Sequence, residues 1–465
     1  MHKILFIFIF VLSACTLGPD FKRKDVYEDK QISDSLHLSG HTLKIDQKWY
    51  VDFHDDNLNA LVAEALANNT DVIASIEKLR QARTLSKISK VTYLPMLSAQ
   101  GGYDYTKASK NIGLSANSDY FTIGFDAEWE LDIWGKGRRL NEQRQAEFEG
   151  VYYSLQNIKN IITAEVASTY FSLRTLQEKR RIALKNLKLQ RDIFKTIEDK
   201  YQSGLSAEST YHQSAYLLKK TESMIPALNE QIEAQKNALA VLTGNLPNAI
   251  DAKLETSKQN PIRQAYRYNL KNLFDLPSDI IRTRPDVKAA EKSMAAQNAA
   301  IGQAIADLYP NVSISALLGF QANNASDLFS SSSKTYGYNP SAVLPVFRWG
   351  QLQNAVNLER EKLQESYQNY RKTLLSSVSE LSNAMTAVQK QYQANKSHQS
   401  AAAHMRKAFY AVKDQYDNGI VEYAVLLESE QDLLDAETDL AQSNGDIYQK
   451  LIAFYKATGG GYNDK

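Results

Sequence analysis

The chain has 465 residues, 23% of them charged, and a formal net charge of +1. No basic excess points to a nucleic-acid partner, and no acidic block marks a disordered tail. Only 10 Pro and 20 Gly punctuate this length, so long uninterrupted elements are expected, and the 26 Tyr against 16 Phe suit wet and membrane interfaces, which favour amphipathic rings.

Residues 1–14 read as a signal peptide. Lys3 supplies a thin positive region, and the apolar run Ile4–Leu12 is too short to span a bilayer. Leu12-Ser13-Ala14-Cys15 follows and resembles a bacterial lipobox, in which the cysteine becomes the lipidated first residue; the alternative is an ordinary signal peptide with an incidental cysteine. Cys15 is the single cysteine, so no disulfide and no thiol metal site are expected. No later segment approaches 18 consecutive apolar residues, and no transmembrane helix is expected. Residues 15–56 form a polar, irregular leader, read as extended along the body, with Pro19, Trp49 and a turn at His54-Asp55-Asp56. Asn57–Leu66 is a short helix candidate.

From there a stretch of about 174 residues occurs twice at a constant offset of 215. Asp71-Val72 recurs as Asp286-Val287, Pro95 as Pro310, Trp134-Gly135 as Trp349-Gly350, Tyr201 and Gly204 as Tyr416 and Gly419, and Thr243-Gly244 as Thr458-Gly459. Repeat one covers 57–244, a linker 245–285, repeat two 286–459, and a tail 460–465. Each repeat reads as helix, strand pair, long helix, turn, long helix. In repeat one Asp71 caps a helix to about Lys90, strands lie at 96–106 and 119–131, and helices at 138–202 and 207–242, the last interrupted at Pro226. In repeat two the cap is Asp286, the strands are 311–321 and 336–346, and the helices 351–418 and 421–457.

Gln351–Asn418 contains neither Gly nor Pro. At 1.5 Å per residue it is roughly 100 Å long. Val151, Leu155, Ile158, Ile162, Val166, Tyr170, Leu173 and Leu176 mark one continuous helical seam in its partner. Helices of this length pack lengthwise on others, in rods or in hollow helical barrels. The strands alternate. Phe121, Ile123, Phe125, Ala127 and Trp129 oppose Thr122, Gly124, Asp126, Glu128 and Glu130; Leu97, Ala99, Gly101, Tyr103 and Tyr105 oppose Ser98, Gln100, Gly102 and Asp104; Val312, Ile314, Ala316, Leu318 and Phe320 oppose Ser313, Ser315, Gly319 and Gln321. Such strands fit a transmembrane β-barrel, with Asp104, Asp126 and Glu128 in its lumen and Ser/Asn-rich tips at 107–118 and 322–335. The same period fits a soluble half-buried sheet. Four strands cannot close a barrel, and lipid tolerates no open edge, so a membrane sheet requires several chains; a trimer supplies twelve strands.

No enzyme constellation is present in the sequence. His37 and His41 are four apart in a polar, glycine-containing loop rather than on a helix, and Gly459-Gly460-Gly461 stops a helix without opening another. No cofactor or metal is expected. The informative polar clusters lie at the turns Tyr201-Gln202-Ser203-Gly204 and Tyr416-Asp417-Asn418-Gly419. Glycines there end helices. Glu422, Glu428, Glu430 and Asp432 follow the second turn, whereas Gln213 and Ala215 replace Glu428 and Glu430 in repeat one, so the turn itself does not require the acids. They read either as one hairpin's functional charge or as a solvated helix face.

The whole mature chain resembles the TolC-type outer membrane efflux proteins, in their lipidated OprM/NodT-like branch. The landmarks are Cys15-Thr16-Leu17-Gly18-Pro19-Asp20-Phe21, Arg282-Thr283-Arg284-Pro285-Asp286-Val287, Ala300-Ile301-Gly302, Tyr309-Pro310, Tyr416-Asp417-Asn418-Gly419, Leu426-Leu427-Glu428 and Ala457-Thr458-Gly459-Gly460-Gly461. The resemblance implies a mixed α and β fold, a tandem-repeat protomer of a homotrimer, with four strands per chain in a shared twelve-stranded barrel continued by a long α-helical barrel. It implies a passive export duct in the outer membrane that extends into the periplasm. Its partners would be outer membrane lipid, a periplasmic adaptor and an inner-membrane pump, proton-driven in this branch. Thr16 after the lipobox favours the outer membrane. The periplasmic gate maps to Tyr416, Glu428 and Val425, the last standing where some members carry a second Asp. The adaptor-contact tips map to Ser203, Gly204 and Leu205 and to Asn418, Gly419 and Ile420. The alternatives are a coiled-coil lipoprotein that spaces the envelope, the exit duct of an ATP-driven secretion system, and an envelope hydrolase, for which the sequence offers no catalytic set.

The lipobox reading is tested by intact-mass measurement of the mature chain, which is expected to begin at an acylated Cys15. Cys15→Ser behind a cleavable signal is expected still to assemble. An unmodified Cys15 in the wild type would refute the assignment.

Overall fold

The computed structural model describes residues 16–23, 26–38, 45–107, 109, 111, 117–251, 254 and 260–462. The signal segment, Cys15, His41, most of the first strand-pair loop and the tail beyond 462 lie outside the described residues.

The leader is not irregular throughout. It forms α1 (Asp29–Leu36) and a 3₁₀ turn at Trp49–Phe53 before α2 (Asp56–Asn68), whose N-terminal N–H groups of Asn57 and Leu58 are accepted by the Asp55 carboxylate. Then come α3 (Thr70–Val91), β1 (Met96–Lys107), β2 (Asn117–Glu130), α4 (Lys136–Gln202) and α5 (Glu208–Leu242). The second copy follows: α6 (Pro285–Ala306), β3 (Asn311–Ala322), β4 (Lys334–Val343), α7 (Gln351–Asp417) and α8 (Tyr423–Ala457). The helix boundaries repeat to the residue at the offset of 215, and α4 and α7 each have 67 residues while α5 and α8 each have 35. Among the described residues no helix is long and apolar enough to cross a membrane.

Three local expectations need correction. The cap of α3 is Asn69, not Asp71: its Oδ1 accepts from the N–H groups of Asp71 and Val72, at 2.9 and 3.3 Å. Asp286 does not cap α6 either. Pro285 opens that helix, its missing N–H costing nothing in the first turn, and Asp286 sits inside the turn, where it pairs with Arg284 at 2.7 Å. Pro226 does not interrupt α5, which runs through it. One lost hydrogen bond is outweighed when a helix of this length packs along its whole side.

Asn69 and Arg284 stand at equivalent positions and do equivalent work with different chemistry. Asn69 Nδ2 donates to the Leu242 carbonyl at 3.0 Å, and Arg284 Nη1 donates to the Ala457 carbonyl at 2.8 Å. Both satisfy a carbonyl that the C-terminus of a long helix leaves without an intrahelical partner. The Arg-Pro-Asp and Thr-Gly-Gly-Gly landmarks, joined by a bond between residues 173 apart in sequence, are therefore neighbours in space.

The chain divides into two compact units that cut across the repeats. One holds Lys78–Tyr152 and Ala289–Arg371 with the described leader residues 16–23; the other holds residues 26–77, 153–288 and 372–462, so far as they are described. In the first, the leader is pinned by backbone contacts. Leu17 N–H donates to the Trp134 carbonyl, the buried Arg139 donates to the carbonyls of Leu17 and Gly18 and to Asp20, and Asn298 donates to the Pro19 carbonyl. Gly18 has φ +88°, and a Cβ on it would lie 2.5 Å from Gly302 Cα, so this crossing requires glycine. In the second unit an aromatic core collects the 3₁₀ turn. Trp49 stacks on Tyr455 at 5.0 Å, Phe53 packs edge-on to Phe171, and Tyr170 donates to Asp55 at 2.6 Å. The apolar spacing of Trp49, Tyr50 and Phe53 is what draws this part of the leader into the core.

The strands of the first unit form one antiparallel sheet in the order β1-β2-β3-β4, so the two repeats join through β2 and β3. The register sorts side chains by face. Ala99, Phe125, Leu318 and Tyr336 form one cross-strand row, and Gly101, Ile123 and Phe320 the next. Ser98, Asp126 and Leu317 form a row of the opposite face, as do Glu128, Ser315 and Asn339. Leu317, Met96 and Val343 are apolar members of this otherwise polar face. In a lipid environment Phe125→Arg is expected to cost roughly 2–4 kcal/mol near the midplane, and Asp126→Arg to fold normally. Denaturant titration of both variants in vesicles checks this, and the opposite ranking would reverse the faces.

Candidate functional site at the helical hairpin tips

The expected tip and gate residues lie in the second unit, where α4 turns into α5 and α7 into α8. Both turns end their first helix by one hydrogen-bond pattern. Leu205 N–H donates to the Lys200 carbonyl at 2.8 Å and Gly204 N–H to Tyr201 at 3.0 Å; Ile420 N–H donates to Gln415 at 2.8 Å and Gly419 N–H to Tyr416 at 3.0 Å. This is the Schellman arrangement, and its left-handed residue is Gly204 (φ +72°) or Gly419 (φ +74°). Side chains reinforce it in both copies: Ser203 Oγ donates to the Asp199 carbonyl and Asn418 Nδ2 to the Asp414 carbonyl, each at 2.8 Å. The turn thereby projects its next side chain outward. Leu205 is 79% exposed and Ile420 70% exposed, a pair of apolar knobs at matching positions.

Behind the tips the hairpins pack on Ile193, Ile197, Phe409, Tyr423, Leu426 and Leu433. Tyr416 is half-buried against this core. Its ring meets Tyr423 edge-on at 6.0 Å, and Lys200 Nζ from the other hairpin lies 5.3 Å from its ring centroid. Burial, and then Asp417, push the Tyr416 hydroxyl pKa up, so it stays a donor at neutral pH. Tyr201, its counterpart, instead stacks on Tyr211 at 4.9 Å. Val425 and Glu428 are exposed, one turn apart on α8, and among the described residues Glu428 has no ion-pair partner. The strand carboxylates Asp104, Asp126 and Glu128 belong to the other unit, on one face of the sheet; Asp104 is near the hairpin loop, across from Tyr120, while Asp126 and Glu128 are at the opposite end, across from Ser98 and Met96.

The acidic run after the second tip divides. Glu422, Glu428 and Asp432 are solvated, but Glu430 is 1% exposed. Burial pushes its pKa up to about 7, although the Gln190 amide beside it favours the ionised form. The repeat carried a signal for this: the equivalent position holds Ala215, and 423, 426, 430, 433 and 437 follow the buried helical spacing. Nothing in the sequence marked Lys200 as a neighbour of Tyr416, because the contact joins two separate hairpins.

Comparison with known proteins agrees with this architecture. A family model described as outer membrane efflux protein matches residues 61–245 and again 276–460, two segments at the repeat offset. The cation efflux system protein CusC of Escherichia coli CFT073 is 25% identical over 97% of this chain and 96% of its own length. The solvent efflux pump outer membrane protein SrpC of Pseudomonas putida is 26% identical over 98% and 97%. Among solved structures, the outer-membrane channel OprN superimposes with a TM-score of 0.88 at 28% identity, covering 96% of this chain and all of that one. The Campylobacter jejuni CmeC outer membrane channel gives 0.85 at 25%, covering 96% and 95%. The two matched segments take in both strand pairs and both hairpins, and the chain belongs to the outer membrane efflux protein family, as an efflux channel of the outer membrane.

Proposed function

We propose that this chain works as a homotrimer, a passive exit duct whose twelve strands close one barrel and whose helical hairpins form a periplasmic gate. The observation that carries the reading is the open four-stranded sheet. Its apolar face asks for lipid, yet among the described residues β1 and β4 each have one unpaired edge, and hydrocarbon does not tolerate unpaired backbone. Pairing β4 of one protomer with β1 of the next removes every edge once the ring closes. Asp104, Asp126 and Glu128 then line the lumen, and a lipidated Cys15 adds membrane affinity that the barrel does not depend on.

At the gate, three copies of Glu428 would crowd about the axis, and like charges held close repel. The Tyr416 hydroxyl, without a hydrogen bond among the described residues, is free to bind the neighbouring protomer and hold the hairpins inward. Val425 contributes apolar bulk one turn away. The exposed Leu205 and Ile420 knobs, with Ser203, Gly204, Asn418 and Gly419 at their bases, suit contact with a periplasmic adaptor that links the duct to an inner-membrane pump, proton-driven in this branch. Relatives named for cations, solvents and pyoverdine are similar to this chain at 25–26% identity, which fits a duct that leaves the choice of cargo to its pump.

Single-channel recording of purified trimers in planar bilayers tests the reading. The wild type is expected to conduct poorly without an adaptor. Tyr416→Phe is expected to raise conductance, and Glu428→Gln to stay shut while losing block by divalent cations. Asp126→Arg is expected to lower the preference for cations. Conductance and divalent sensitivity that ignore the Tyr416 and Glu428 changes would place the constriction elsewhere, and a particle mass other than that of three chains would exclude the trimer.

A further inference from the structure

Among the described residues, buried glutamates recur along the inward seam of the hairpins, and all but one have cations. Glu437 accepts from Arg406 Nε and Nη2 at 3.0 and 2.7 Å, with Lys185 Nζ at 3.6 Å. Glu178 pairs with Arg181 at 2.6 Å and with Arg263 at 3.4 Å. Glu430, one heptad before Glu437 on α8, has neither: both carboxylate oxygens are buried without a hydrogen bond of ordinary geometry. Three other polar atoms around this level are in the same position. Gln190 Oε1 and Asn186 Oδ1, a turn apart on α4, and Ser429 Oγ are also buried and unpartnered. The other side chains at this level are apolar or neutral: Ile193 of α4, Phe409 of α7, and Tyr423, Leu426 and Leu433 of α8. Tyr423, itself pushed up to about 12 by burial, is the titratable group that senses Glu430. Ser214 of α5 reaches Tyr423 rather than the carboxylate. Arg406 and Lys185 are engaged with Glu437, and Arg191 with Glu222.

We propose that Glu430 is a proton-binding latch in the second hairpin, holding α8 against α4 when protonated and loosening it when ionised. The inference rests on reading the hairpins as the gate. A proton on the carboxyl supplies a donor beside buried oxygens that have no partner, and it removes a buried charge that no cation offsets and that only the Gln190 amide favours. The fold does not demand the group, since repeat one builds the same hairpin with Ala215. The sign follows from the burial. A carboxyl whose folded pKa lies above its unfolded value of about 4.3 leaves stability intact below that value and removes it as pH rises through the folded pKa, here about 7. Between pH 5.5 and 8 the packed-to-loosened equilibrium is expected to fall roughly tenfold or more, at tenfold per pKa unit. The closed duct is thus tightest in acid and loosens towards neutral and alkaline pH.

The test uses full-length trimers in two measurements. Amide hydrogen exchange over 423–437, corrected for intrinsic rate, is expected to speed up by that factor from pH 5.5 to 8 in the wild type and to be flat in Glu430→Gln. Glu430→Ala, which copies repeat one, is expected to be flat as well and guards against a defect peculiar to the amide. Adaptor-free conductance is expected to follow the same pH dependence and to lose it in both variants. Wild-type exchange that is itself flat, or a pH response that survives both substitutions, would overturn the latch. Exchange that behaves as expected while conductance ignores pH would leave the latch in place and overturn the reading of the hairpins as the gate.

Discussion

A sheet with one apolar face and two free edges is an incomplete object, and most of the architecture follows from that. The N–H and C=O groups on the outer sides of β1 and β4 need partners that no described residue supplies. In water such an edge invites aggregation; in hydrocarbon each unmatched group costs several kcal/mol. The proposed closure by two further copies answers the constraint without lengthening the chain. It also explains why duplication is useful. One repeat contributes two strands and two hairpin arms, and the β2–β3 pairing fuses two such units into a single four-stranded block.

Duplication preserves the backbone more closely than the side chains. Helix boundaries recur to the residue, yet the groups that secure them have diverged. The carbonyl ending α5 is met by an amide, that ending α8 by a guanidinium that also binds Asp286 and Glu380. One tip stacks Tyr201 on Tyr211, while the other sets Tyr416 on Tyr423 above Lys200. The copies share a turn because φ > 0 leaves little choice beyond glycine. They differ in the seam, where helix packing accepts many side chains of suitable size. That freedom is what permits a carboxylate at Glu430 where repeat one has a methyl group.

Stability and marginality are distributed accordingly. The aromatic core around Trp49, Phe53, Phe171 and Tyr455 gives the second unit an anchor of large, fully packed rings. Towards the tips the packing narrows to a few aliphatic and aromatic residues, with unpartnered polar atoms among them. A segment built to open must be drawn from the less stable part of the fold, and few buried contacts with unmet polar groups mark such a part.

The tandem repeat, the order of elements, the two-faced strands and the length of the helices were all legible in the sequence, because period-2 and period-3.6 patterning and a constant offset are properties of the chain itself. So was the family, through short motifs such as Leu17-Gly18-Pro19 and Arg284-Pro285-Asp286, although their purpose was not. Only the tertiary structure revealed that Gly18 crosses Gly302, that Arg284 closes the end of α8, and that Asn69 rather than Asp71 caps α3. It decided that Trp49 belongs to the core, that α5 survives Pro226, and that of four neighbouring acids three are solvated and one is buried. These are contacts between elements distant in sequence. A local pattern specifies which face of a helix is turned inward, but what waits on the other side, a cation for Glu437 and none for Glu430, depends on the neighbouring helices, and their side chains are set by packing that no single stretch of chain encodes.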